Sequence, residues 1–191
     1  MAPSPQEKPQ YTFDQKAKKK GLIIVNTGDG KGKTTAALGI AFRAAGNGMK
    51  VAVIQFIKGN WKYGELESAK QLKTPIEIYQ MGEGFTWDTK NPARDIEMTQ
   101  KAWALCKEKM MSSKYQVVIF DEINYVIDYN YLNLQEVVAA LKQKPEMVHA
   151  ILTGRNAKPE LIAAADLVTE MREVKHPFKE QGILAQRGIE F

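Results

Sequence analysis

From residue 21 onward the chain alternates short apolar runs with longer amphipathic stretches. Leu22–Val25 is an unbroken apolar run closed by Asn26, Thr27 and Gly28, the pattern of a strand buried on both faces. Val51–Phe56 and Val117–Phe120 repeat it, Ile76–Tyr79 is a weaker version, and Val148–Leu152 and Leu167–Met171 bring the expected strands to six. Between them lie helical periods. Thr34–Ala45 is closed by Gly46, Asn47 and Gly48. Asn91 followed by Pro92 predicts a capped helix start, after which Ile96, Thr99, Trp103, Cys106 and Met110 recur at helical spacing. Asn133 with Glu136 three residues later has the form of a capping box. It opens a helix whose apolar face is Leu134, Val137, Val138 and Leu141 and which Pro145 stops. Strands alternating with helices of this length require crossovers, and hence a parallel sheet covered on both faces.

The first twenty residues break this pattern. They are polar and rich in proline and lysine, and they predict a basic leader, flexible or capping a partner, ahead of one domain spanning 21–191. The formal net charge of +5 points at first to a nucleic-acid partner, but Lys8, Lys16, Lys18, Lys19 and Lys20 place much of it in the leader, so none is expected. A composition that is 44% hydrophobic and 26% charged excludes a disordered or fibrous chain. The leader lacks the apolar stretch of a signal peptide, and no run approaches the ~18 apolar residues of a membrane span, so a cytoplasmic, membrane-free protein is expected. Cys106 is the sole cysteine and is read as core, while His149 and His176 are the only histidines, too few for a zinc or iron–sulfur site of the usual kind. Any electrons the chemistry needs must come from another protein.

The stretch Thr27–Gly28–Asp29–Gly30–Lys31–Gly32–Lys33–Thr34–Thr35 falls between the first expected strand and the first expected helix. Glycines let the backbone approach a polyphosphate, the amides at the helix start face it, Lys33 adds positive charge, and the Thr34 hydroxyl is placed to ligate Mg²⁺. The usual spacing puts a glycine five residues before Gly32. Thr27 stands there instead and the glycine has slipped to Gly28, a hint of unusual nucleotide placement. Asp121 and Glu122 close the fourth strand at the edge of a parallel sheet where ligands bind, and one of them is expected to face the metal. The fold class this predicts is α/β of the P-loop NTPase-like, RecA-like kind: a mostly parallel sheet of about six strands with helices on both faces.

Taken in order, Gly28–Ala37, Gln55–Gly59, Gly84–Trp87, Asp121–Glu122, Thr153–Arg155, Val174–His176 and Gln186–Phe191 resemble the P-loop cobalamin adenosyltransferases of the cob(I)yrinic acid a,c-diamide type over residues 21–191. The resemblance implies transfer of the 5′-deoxyadenosyl group of ATP to Co(I) of a reduced corrinoid, with release of triphosphate. It further implies a homodimer that binds MgATP in the sense opposite to ordinary P-loop enzymes, and an external flavoprotein such as flavodoxin as reductant. By the same resemblance Gly28 through Thr35 and Arg155 bind ATP, and Thr34 with Glu122 or Asp121 holds Mg²⁺. Lys33, Phe85 and Trp87 serve catalysis, the two aromatics lying against the corrinoid.

Overall fold

The computed structural model describes residues 19–58, 63–82 and 91–190. Six strands form one sheet: β1 (Ile23–Thr27), β2 (Val51–Gln55), β3 (Ile76–Gln80), β4 (Val117–Asp121), β5 (His149–Thr153) and β6 (Leu167–Glu170). Their order across the sheet is β3-β2-β4-β5-β1-β6, and every neighbouring pair is parallel. The expected six strands are all present, each within a residue or two of its apolar run. The helices are α1 (Lys33–Gly46), α2 (Gly64–Lys70), α3 (Pro92–Met111), α4 (Ile123–Asp128), α5 (Leu134–Lys142), α6 (Pro159–Ala164) and α7 (Pro177–Gln181).

The twofold alternation along each strand divides the core into two layers. Ile24, Val51, Val53, Val117, Ile119 and Ile151 point to one face and meet Ala37, Ala41 and Ala44 of α1. Those alanines let α1 lie close, so the loop ahead of it is tied to the end of β1. Val25, Ile54, Val118, Phe120 and Leu152 point to the other face, where Trp103 and Cys106 of α3 and Val137 and Leu141 of α5 cover them. Trp103 meets Phe120 edge to face with centroids 6.2 Å apart. Cys106 is wholly buried, and burial pushes its thiol pKa well up, as befits a core residue.

Two local expectations change. Asn133 caps α5 by accepting from Gln135 N and Glu136 N, but Glu136 does not reach back to complete a capping box. Its carboxylate accepts instead from Trp103 Nε1 at 2.6 Å and Lys107 Nζ at 2.7 Å, because α3 offers charge-assisted donors that tie the two helices together. Ile96, expected on the buried face of α3, stays 40% exposed and lines a cleft with Gln100, Ile127 and Leu132, while Ala102 takes a core position.

At the opposite end of the sheet from the loop after β1, His149 Nδ1 accepts from Leu22 N at 3.1 Å. Burial, helped by Lys144, holds the imidazole pKa below its ordinary value, while Asp166 binds Ile23 N and Lys20 nearby. A neutral ring is the acceptor here, so its stabilisation is complete above the ordinary histidine pKa of 6.5 and is lost as the pH falls below it. Urea unfolding at pH 8 and pH 5 is expected to show wild type losing more stability than His149→Phe over that interval. Equal losses would remove His149 as the titrating group.

Candidate nucleotide site

A parallel sheet brings the ends of β1, β2, β4 and β5 to one edge, and the candidate residues gather there. The loop from Gly28 to Gly32 closes around Lys33. That side chain is buried, and its ammonium donates to the carbonyls of Gly28 and Gly30, each at 2.7 Å. Burial lowers its pKa, against a pull upward from Glu122. Asn26 Nδ2 donates to the Lys33 carbonyl at 3.4 Å and pins the helix start to β1. Gly32, with φ +107°, precedes α1 and supplies no side-chain cap, and no acidic residue occupies the first turn, so the amides there face outward as an anion site. Thr35 lies exposed on that turn.

The glycines have a packing reason that sequence reading missed. A Cβ at Gly28 would come within 2.5 Å of Met171 O, and one at Gly30 within 2.7 Å of the Arg172 carbonyl carbon. The chain leaving β6 runs directly against the loop, with Gly30 N donating to Met171 O and Met171 N to Thr27 O. Met171 is half-buried beside the loop. Thr27, where the usual spacing has glycine, accepts from Ala157 N at 3.1 Å through its hydroxyl and so ties the loop to the turn after β5.

Asp121 is the hub. It is fully buried; Oδ1 accepts from Thr34 Oγ1 at 2.7 Å and Thr153 Oγ1 at 2.8 Å, and Oδ2 accepts from Gln55 Nε2 at 3.2 Å. Lys58 Nζ stands 3.8 Å from the same Oδ2. Thr153 Oγ1 in turn accepts from Glu122 N, so one hydroxyl ties the Asp121 carboxylate to the backbone of the next residue. The structure thus pairs Thr34 with Asp121 directly. In the sequence Gln55, Lys58 and Thr153 stand only as parts of motifs; their signal is a polar residue closing or following an apolar strand at the ligand-binding edge.

Glu122 has φ +66°, a left-handed backbone that costs a non-glycine residue about 1–3 kcal/mol and marks functional turns. Its Oε2 is buried without a hydrogen-bond partner among the described residues. Burial first, and then the charge of Asp121, push its pKa up to about 7, opposed by Lys33, Lys58 and Arg155. Gly154 makes room for it, since a Cβ there would stand 3.1 Å from Oε2. Arg155 reaches back over the loop, with Nε 3.9 Å from Asp29 Oδ1, while Lys31 pairs with Glu190 near the carboxyl end. Lys58 is held between Glu65 and Asp121; burial lowers its pKa, but those two carboxylates outweigh it and the ammonium stays charged. Phe85 and Trp87 lie outside the described residues.

Residues 19–191 match the family model described as ATP:corrinoid adenosyltransferase BtuR/CobO/CobP, a span that contains the entire cluster. The chain belongs to that family. A corrinoid adenosyltransferase from Sinorhizobium sp is 52% identical over 178 residues, covering 92% of this chain and 83% of that protein. Two further family members with the same name, from Pseudomonas aeruginosa and Escherichia coli K12, are each 43% identical, over 90% and 97% of this chain and 84% and 93% of their own lengths. Among the described residues no helix is long and apolar enough to cross a membrane, and no group of three or more His, Cys, Asp or Glu side chains is gathered as a metal site.

Proposed function

We propose that this chain transfers the 5′-deoxyadenosyl group of ATP to the cobalt of a reduced corrinoid and releases triphosphate, in cobalamin synthesis or salvage. The observation that carries the reading is the family match across the cluster in which a buried lysine, a helix start and a Thr34–Asp121 pair meet. In the reaction Co(I) supplies an electron pair to the 5′-carbon, the carbon–oxygen bond breaks, and the bond's pair leaves with the triphosphate. Cobalt ends two electrons more oxidised. Nothing in this step needs an activated water. The protein must hold carbon and cobalt in line and neutralise charge growing on the leaving oxygens, work suited to Lys33, the amides of Gly28 through Thr35, and Arg155.

The donor set fits Mg²⁺. Thr34 and Asp121 bring hydroxyl and carboxylate oxygens together, and Glu122, the next residue, adds a buried Oε2 that has no hydrogen-bond partner among the described residues, a third hard donor. Thr34, Asp121 and Glu122 would hold the ion, which would supply charge neutralisation on the phosphates of bound ATP. We assign Phe85 and Trp87 to the corrinoid, covering one cobalt face so that axial ligands are excluded and reduction becomes easier. Electrons come from an external flavoprotein such as flavodoxin. A homodimer suits the exposed apolar side chains of the carboxyl-terminal segment, Val174 at 82%, Leu184 at 71% and Ile189 at 81%. Residues 1–20 are a leader to a domain of residues 21–191, in a cytoplasmic enzyme.

Incubating the protein with MgATP and chemically reduced cobalamin is expected to give adenosylcobalamin, read from its absorbance and its loss on illumination. Production of ADP and phosphate with cobalamin unchanged would overturn the reading in favour of an ordinary P-loop ATPase or kinase. Phe85→Ala and Trp87→Ala are expected to lose at least ~10-fold more activity when cobalt is supplied as Co(II) with a reductant than as Co(I), a difference of about 1.4 kcal/mol in barrier. Equal losses in the two assays would strip these aromatics of their part in reduction.

A further inference from the structure

We propose that Lys58 is a second cation for the departing triphosphate, facing it across Asp121 from the phosphate loop. The proposal rests on the adenosyl-transfer reading. Lys58 follows β2, and its side chain is only 19% exposed. Its ammonium has three donors, and among the described residues the hydrogen-bond acceptor it has is Glu65 Oε1 at 3.1 Å. The Tyr63 ring lies 4.5 Å below it. At 3.8 Å from Asp121 Oδ2 it is beyond hydrogen-bond reach, and Asp121 does not need it, because Thr34, Thr153 and Gln55 already supply three donors to that carboxylate.

Glu65 and Asp121 hold the ammonium charged, yet among the described residues only one of its three protons has a hydrogen-bond acceptor, so it can donate to a further anion without giving up a partner. Lys33 is different: both carbonyls it binds belong to the loop itself, so its charge organises the loop as well as any phosphate. Thr34 occupies one oxygen of Asp121 and Lys58 flanks the other, so a phosphate chain that extends past Thr34 meets the Lys58 ammonium next. Lys33, Lys58 and Arg155 act on Glu122 from three separate segments, giving the acidic pair three cations around it. Positive charge arriving from three directions suits a leaving group that gains a full negative charge as the carbon–oxygen bond breaks. Lys58 keeps its proton throughout and contributes charge alone.

The test uses inorganic triphosphate as the probe at saturating Mg²⁺, with the full-length protein. Lys58→Met is expected to raise the dissociation constant for triphosphate at least ~10-fold and to lower kcat about 100-fold, with the binding of adenosine unchanged. Lys58→Arg should recover part of the kcat loss. Triphosphate bound by Lys58→Met as tightly as by wild type would overturn the proposal and leave Lys58 a structural partner of Glu65. Should Lys58→Met fail to fold, Glu65→Gln decides. Releasing Lys58 from its carboxylate partner is expected to tighten triphosphate a few-fold, and weaker binding would overturn the proposal. Triphosphate binding is read without corrinoid, so a wild type that makes no adenosylcobalamin sinks the functional reading on its own, separately from the Lys58 result.

Discussion

Lys33→Ala is expected to lower kcat by about 10²- to 10³-fold, the loss typical of removing one preorganised charge-stabilising donor from a transition state. Each factor of ten corresponds to about 1.4 kcal/mol of barrier, so this one ammonium is asked to supply roughly 3–4 kcal/mol. The fold should survive, because the two layers of the core do not include the lysine head. The loop should not survive unchanged, since the ammonium holds the Gly28 and Gly30 carbonyls together at 2.7 Å each. We therefore expect KM for ATP to rise along with the fall in kcat. Lys33→Arg is expected to rescue little, because a buried site shaped around an ammonium does not accept the larger planar guanidinium. Steady-state kinetics on the two variants, with circular dichroism as a check on folding, decides the point. A kcat within ~3-fold of wild type would mean that the loop amides and metal carry the leaving-group charge without Lys33.

Asp121→Ala is expected to have the largest effect on stability, about 3–5 kcal/mol, the range found when one partner of a buried charged network is removed. The fully buried carboxylate accepts from Thr34, Thr153 and Gln55 and faces Lys58, so its loss leaves two hydroxyls and one amide without their acceptor and takes a neighbouring negative charge from one ammonium. Asp121→Asn keeps the shape but turns one acceptor oxygen into a donor against donors. We expect about 1–3 kcal/mol for it, less than for alanine because the hydroxyls of Thr34 and Thr153 can rotate toward the oxygen that remains. Urea unfolding measures both. A cost below 1 kcal/mol for Asp121→Ala would show that the network is not what holds this edge of the sheet together.

The sheet was legible because strands buried on both faces in a parallel sheet read as continuous apolar runs, and β1, β2 and β4 are buried along their whole length. The chemistry was less legible for the same reason. Apolar periodicity stops one residue early at Gln55, Asp121 and Thr153, and those polar strand ends build the site. Pairing across the sheet sets Gln55 opposite Asp121 and Asn26 opposite Thr153. No run of residues along the chain reports that register. The phosphate loop announced itself by composition, yet the reason for Gly28 and Gly30 lay in residues 171 and 172, about 140 positions away, where a backbone passes too close for any side chain. Thr27 likewise looked like a departure from pattern until its hydroxyl was seen tied to Ala157. Glu136 fitted a capping box by spacing, and a tryptophan and a lysine on another helix claimed it.

The central claim is that the loop around Lys33 grips a triphosphate that leaves whole. Its most direct test is the phosphate product formed per adenosylcobalamin made, measured by phosphorus NMR or ion chromatography in one reaction mixture with MgATP and Co(I) cobalamin. The expected result is one inorganic triphosphate for each adenosylcobalamin, with no ADP. ADP and orthophosphate in its place, or adenosylcobalamin absent while ATP is consumed, would contradict it.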